Sequence, residues 1–109
     1  MKTTTNILWM DRVYDLVRKI PKGRVTTYGA IADCIGNRTT SRMVGWAMNA
    51  CHRIKPPVPA HRVVNRNGML TGKLHFATPT LMQELLEAEG IQVLDDQIQH
   101  FKQILWIPQ

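Results

Sequence analysis

Cys34, Cys51 and four histidines are the side chains of this 109-residue chain best suited to covalent or metal chemistry. The two cysteines form neither a CxxC pair nor a disulfide framework, so free thiols in a reducing compartment are expected. Cys51 should be the exposed one, beside the cation of Arg53, and Cys34 should be buried on a helix; a thiol near a cation is the better nucleophile. Cys51-His52, with His61 further on, lacks the ligand spacing of a tetrahedral zinc site, and no metal or cofactor is assigned. A second chemistry is electrostatic. Residues 18–73 hold eleven Lys and Arg against Asp33 alone, a net +10 in a chain that totals +6. Residues 1–17 balance, and residues 74–109 carry −4. A polyanion should meet the middle segment, and nucleic acid is the commonest one. The alternative is that excess basic charge only keeps a small protein soluble.

The elements that would hold these residues follow from spacing and punctuation. The length suits one small α/β domain, mainly helical with a short hairpin. No apolar run approaches the ~20 residues of a membrane helix, and residues 1–6 lead into no signal region, so a cytoplasmic protein without a membrane partner is expected. Met10, Val13, Leu16 or Val17, and Ile20 recur at helical spacing, with Asn6 as cap and Pro21-Lys22-Gly23 as stop. A second helix should run from the Thr26-Thr27 cap through Ile35 to Gly36-Asn37. A third should be capped by Thr40 or Ser41, with Arg42 in its first turn and Val44, Ala47 and Met48 inward. Two short helices across a tight turn resemble a helix-turn-helix. Lys55-Pro56-Pro57-Val58-Pro59 must be an extended loop. His61–Val64 is expected as a strand, Asn65–Gly68 as a tight turn and Met69–Thr71 as the returning strand, which together make a wing. Thr78-Pro79 should open a helix with Leu81, Leu85 and Leu86 on one face, ended by Gly90. Ile91–Leu94 suits a short strand. Ile98, Phe101, Ile104 and Leu105 fit either a short helix or irregular chain packed by Trp106.

The most specific string is Pro59-Ala60-His61-Arg62-Val63-Val64, followed by Asn65-Arg66-Asn67-Gly68. It resembles the active-site motif of O6-alkylguanine-DNA alkyltransferases, in which proline is followed by cysteine and then His-Arg-Val. Gly23-Arg24-Val25-Thr26-Thr27-Tyr28-Gly29-Ala30-Ile31-Ala32, Ser41-Arg42-Met43-Val44-Gly45-Trp46-Ala47-Met48 and Leu86-Glu87-Ala88-Glu89-Gly90 agree with the same family in order and spacing. The resemblance covers nearly the whole of residues 1–109 as one DNA-binding domain, without the extra N-terminal domain that many transferases carry.

Ala60 stands where the transferases have their acceptor cysteine. Alkyl transfer needs a thiolate for in-line displacement, and a methyl side chain supplies none. The chain is therefore similar to the alkyltransferase-like proteins, which lack the cysteine and mark lesions for other repair machinery. The resemblance implies no catalytic residue and a monomer that binds double-stranded DNA containing O6-alkylguanine and recruits nucleotide excision repair proteins. Arg42 would enter the base stack as the damaged nucleotide rotates out, while Tyr28 presses on the adjacent phosphate; without the motif, Arg42 would make a plain phosphate contact and Tyr28 would close a helix interface. Ala60, Met48, Val63, Asn65 and Tyr28 would form the lesion pocket, widened by alanine, although Met48 also suits simple core. Thr40, Ser41, Met43 and Gly45 would offer backbone N–H groups to phosphates at a helix start, and Arg24, Arg38 and Arg66 would add general phosphate contacts. His61 and Glu89, with no thiol to activate, would hold loop and helix together as a vestigial active-site network.

Departures from the family pattern bear on this. One extra residue lies between Arg42 and Ala60, Lys73 stands where many transferases have a pocket tyrosine, and Trp46 either packs on wing or core or faces a partner. Two other functions compete: alkyl transfer to a displaced acceptor, with Cys51 the serious candidate, and sequence-specific regulation through the same helix-turn-helix.

Overall fold

The computed structural model describes residues 2–109, with the side chains of residues 9–109. Helix α1 spans Lys2–Arg18 and so begins before Asn6, the expected cap, whose side chain lies outside the described residues. Val13, Leu16, Val17 and Ile20 are all buried, as residues three and four apart on one helical face must be. Tyr14 shares that face, and its hydroxyl donates to the Ala47 carbonyl at 3.1 Å. Among the described residues no helix is long and apolar enough to cross a membrane.

Strand β1 (Thr26–Thr27) leads directly into helix α2 (Tyr28–Ile35). The Thr27 hydroxyl accepts from the Ala30 amide at 3.0 Å, and Gly36 closes the helix with its amide on the Ala32 carbonyl at 2.9 Å. Helix α3 (Ser41–Ala50) starts the same way, with the Thr40 hydroxyl accepting from the Met43 amide at 3.1 Å. Each cap satisfies one of the amides that a helix start leaves without a partner. Between the two helices Gly36, Asn37 and Arg38 take positive φ, which makes the turn tight. Val44, Ala47 and Met48 face inward from α3 as the spacing required.

Strand β2 (Val63–Val64) pairs in parallel with β1, Thr26 opposite Val63 and Thr27 opposite Val64. Successive strand residues point to opposite faces. Val63 thus enters the core formed with α1, α2 and α3, and Val64 enters a second core with Val25, Leu70, Met82, Leu86, Ile91 and Ile98. The parallel register has a positional consequence. It sets Tyr28, the residue after β1, beside Asn65, the residue after β2.

The wing differs from expectation. His61 and Arg62 belong to a 3-10 turn, Ala60–Arg62, and β2 takes β1 as its partner in place of residues 69–71. The tight turn at Asn65–Gly68 does form: the Gly68 amide reaches the Asn65 carbonyl at 2.9 Å, and the Asn65 side chain accepts from the amides of Asn67 and Met69. Met69 then bridges to Gln97. Two consecutive buried valines need cover on both faces, which a two-stranded wing in solvent does not provide. The short hairpin is β3 (Val93–Leu94) with β4 (Gln97–Ile98), turned through Asp95 and Asp96, both at positive φ. Gly68 is needed where it is, since at φ +75 a Cβ would also meet the Phe101 ring at 3.1 Å.

Helix α4 (Leu81–Ala88) starts later than the Thr78-Pro79 signal suggested. Its capping residue is Thr80, whose hydroxyl bonds Glu84 and caps no amide. Met82 and Leu86 are its buried residues, with Leu81 and Leu85 half-buried. Helix α5 (Phe101–Ile104) is a single turn, after which Leu105 bridges Val25 in parallel. Both readings of the C-terminal segment are therefore partly realised.

Candidate nucleic-acid interface

The middle of the chain builds one open face around Tyr28. A cleft of about 390 Å³ is lined by Tyr28, Ser41, Arg42, Trp46, Thr71 and His75, with Gly45, Asn49 and Gly72 completing it. This lies within the range of roughly 300–1,000 Å³ usual for ligand sites. A second hollow of about 340 Å³, between Tyr28, Gly29, Ser41, Asn65 and Arg66, adjoins it through Tyr28 and Ser41. Burial raises the Tyr28 hydroxyl above its ordinary pKa, only partly offset by a hydrogen bond with Thr71, so at neutral pH the hydroxyl is a donor. A Cβ on Gly72 would stand 3.0 Å from that hydroxyl, so this glycine permits the close approach.

Arg42 projects from the first turn of α3 with its guanidinium 5.6 Å from the centre of the Trp46 ring, close enough for cation–π attraction. It has no hydrogen-bond or ion-pair partner among the described residues. Trp46 is 55% exposed, which answers the packing question: it is a surface ring beside the cleft.

The expected phosphate contacts divide. Arg38 and Arg66 are exposed, and Thr40 and Ser41 stand at the start of α3. Arg24 is a correction: its guanidinium donates to the carbonyls of Ile104 and Leu105 at 2.9 and 2.8 Å and clamps the C-terminal segment. Met43 is another, because its amide is already taken by Thr40. Gly45 lies one turn in, where its amide joins the helical ladder, so it gives the cleft only a bare Cα. The amides left at the helix start are those of Thr40, Ser41 and Arg42.

Behind the cleft, Ala60 sits nearly covered on the wall of a cavity of about 10 Å³, the room of one water. Tyr28, Met48, His52, His75, Phe76 and Met82 close it. The space beside Ala60 is small because these neighbouring side chains close it. Tyr28, Met48 and Ala60 meet at this cavity, whereas Val63 is core and Asn65 lies on the adjoining hollow. Lys73 faces elsewhere, paired with Asp96. No pocket role was read for His52, His75 or Phe76 in sequence, for they sit in irregular turns with no periodicity to flag them.

Glu89 organises the other side of Ala60. His61 Nε2 lies 2.7 Å from Glu89 Oε2, Arg62 donates through Nε and a terminal nitrogen to the same carboxylate, and the Gly23 amide donates to Oε1 at 3.0 Å. Burial by itself would raise the Glu89 carboxyl; the bonds from Arg62, His61 and Gly23 outweigh it and hold it at about 2. Burial lowers His61, more than the bond to Glu89 restores. His61 is therefore neutral at pH 7 and donates Nε2–H, while Arg62 is the charge partner. The Arg62 role was missed in sequence. Cys51 and Cys34 reverse the expectation: Cys51 is buried, its thiol pushed up to about 11 and donating to the Met48 carbonyl, and Cys34 is exposed.

The model of the family described as the DNA-binding domain of 6-O-methylguanine DNA methyltransferase matches residues 9–91. The chain belongs to that family. Within it, the chain is 35% identical over 101 residues to alkyltransferase-like protein 1 of Schizosaccharomyces pombe, covering 89% of this chain and 93% of the relative. It is 44% identical over 79 residues to a methylated-DNA–protein-cysteine methyltransferase of Methanosarcina acetivorans, covering 72% of this chain but 48% of that enzyme. In structure it is similar to S. pombe Atl1 in complex with damaged DNA containing O6-carboxymethylguanine, with a TM-score of 0.80 at 32% identity over 91% of this chain and 94% of the other. This alkyltransferase-family domain is thus alkyltransferase-like in sequence and in fold.

Proposed function

We propose that this domain, residues 1–109, recognises O6-alkylguanine in double-stranded DNA by extruding the damaged nucleotide, holds it without removing the alkyl group, and marks it for nucleotide excision repair. It would act as a monomer on cytoplasmic DNA. The observation that carries this reading is Ala60 beside an intact Glu89–His61–Arg62 cluster: the position that the motif reserves for a thiol has a methyl group, and the neighbouring histidine is already occupied. A relative that resembles the chain over most of both lengths is alkyltransferase-like protein 1 of S. pombe, and the similar Atl1 structure is a complex with damaged DNA.

The order of events follows from the open face. Ser41 and Arg42 amides and the exposed Arg38 and Arg66 engage phosphates, and Arg42 turns from Trp46 into the stack. Rotating a base out costs a few kcal/mol, less where alkylation has weakened its pairing. The base enters the cleft between Tyr28 and His75, and its substituent presses toward Met48 and Ala60. Opening the small cavity requires Phe76 and the histidines to give way.

Transfer to Cys51 is disfavoured by its burial and raised pKa, since only a thiolate attacks. Titration at fixed salt with matched duplexes, plain and O6-methylated, together with intact-protein mass, tests the proposal. Tighter binding of the alkylated duplex with no gain of mass is expected. A methyl adduct on the protein would overturn it, as would preference for one undamaged sequence.

A further inference from the structure

We infer that the site prefers guanines whose O6 substituent carries a negative charge, and that His52 and His75 supply this preference. The inference rests on the function proposed above and concerns which lesions that function serves. Tyr28, Asn49, Gly72 and His75 line both the open cleft and the closed cavity and so form the wall that a substituent must pass to approach Ala60. His52 stands on the cavity side, edge-on to Phe76 with ring centres 4.7 Å apart, which fixes its position at this passage.

The charge around the passage has one sign. Its titratable and charged groups are Tyr28 from α2, Arg42 from α3, His52 from the turn after α3, and His75 from the turn Lys73–His75. The turn at Ala60–Arg62 and helix α4 contribute only Ala60 and Met82. No carboxylate lines either space among the described residues. Lys73, the nearby cation that sequence alone would suggest, is withdrawn by Asp96.

Burial and then the proximity of His75 lower the pKa of His52, so the site by itself resists a charge on the His52 ring. An anionic substituent beside His52 offsets that resistance and draws a proton onto its ring. A neutral substituent gains nothing. The preference should accordingly strengthen as pH falls toward the histidine range, while Arg42 contributes a part that does not vary with pH.

The test is competition binding at fixed salt with three matched duplexes carrying O6-carboxymethylguanine, O6-carbamoylmethylguanine or plain guanine. Acid and amide are close in shape and differ in charge, and the acid remains ionised throughout the range used. The acid should be favoured over the amide by about fivefold near pH 5.5, declining as pH rises through the histidine range. His52→Gln with His75→Gln should remove the pH dependence of that ratio; the parent protein's ratio is informative even if the double variant fails to fold. A ratio near one at every pH, with both lesions still favoured over plain guanine, overturns the inference and leaves the function standing. A pH-dependent ratio that survives both substitutions overturns the assignment to these histidines. Equal binding of all three duplexes overturns the function itself.

Discussion

Arg62 and Arg42 lie twenty residues apart in one basic segment and are used in opposite ways. Arg62 is half-buried and shares the Glu89 carboxylate with His61 and the Gly23 amide, and it also donates to the Ile20 carbonyl at 2.9 Å. Arg42 is exposed and, among the described residues, rests on the Trp46 ring. Around Glu89 the charges are satisfied within the protein, so that region can hold shape and has little left to offer a ligand. Around Tyr28 and Arg42 the charged side chains have no internal hydrogen-bond or ion-pair partner among the described residues, so binding there sacrifices few existing contacts. A basic segment is thus not one functional surface. Part of its charge is structural, and the free remainder is what a polyanion meets.

The largest loss of stability is expected from Glu89→Ala. It would strand Arg62 and His61 together, and unfolding in urea should show a loss of about 3 kcal/mol, the scale for removing one partner of a buried pair. A loss near zero would mean the cluster is dispensable. Glu89 is held at about 2 in the fold against an ordinary 4.5, so its stabilisation is complete above 4.5 and is lost as pH falls from there toward 2. His61, lowered below its ordinary 6.5, adds an earlier loss that starts as pH drops through that value. Acid titration of the melting temperature should show both losses, and Glu89→Gln should remove the lower one.

On the open face the largest effect expected is from Arg42→Ala. Affinity for an alkylated duplex should fall roughly thirtyfold, about 2 kcal/mol, with the melting temperature unchanged because the side chain is exposed. Unaltered affinity for lesion and control alike would remove Arg42 from the stack. Thr40→Ala should cost about 1 kcal/mol in thermal denaturation, the usual value of an N-cap. The smallest effect separates two arginines directly. Arg66→Ala should weaken all duplexes alike and reduce the salt dependence of binding by about one phosphate. Arg24→Ala should lower stability and leave the salt slope in place, since its guanidinium is spent on the carbonyls of Ile104 and Leu105.

Much of the framework was legible because its signals are local. Thr27, Gly36 and Thr40 punctuate α2 and α3, and Val44, Ala47 and Met48 fall on one face whatever lies opposite. The wing was misread for the converse reason: Val63-Val64 identifies a strand but not its partner, and β1 lies 37 residues earlier in register. Cys51 departs from expectation because the 3-10 turn after α3 brings its thiol onto the Met48 carbonyl, a placement that helical spacing does not reveal, while Cys34 lies on the exposed side of α2.

Residue order alone determined the family motifs, the helix-turn-helix, the basic segment and the alanine in place of a thiol, since each is a matter of which residue occurs at which step. Only the tertiary structure decided which charges are free. Whether Arg24, Arg62 or Lys73 faces solvent depends on Leu105, Glu89 and Asp96, residues more than twenty positions away that packing brings within hydrogen-bond reach. Hydrogen bonds act over about 3 Å of space and take no account of separation along the chain.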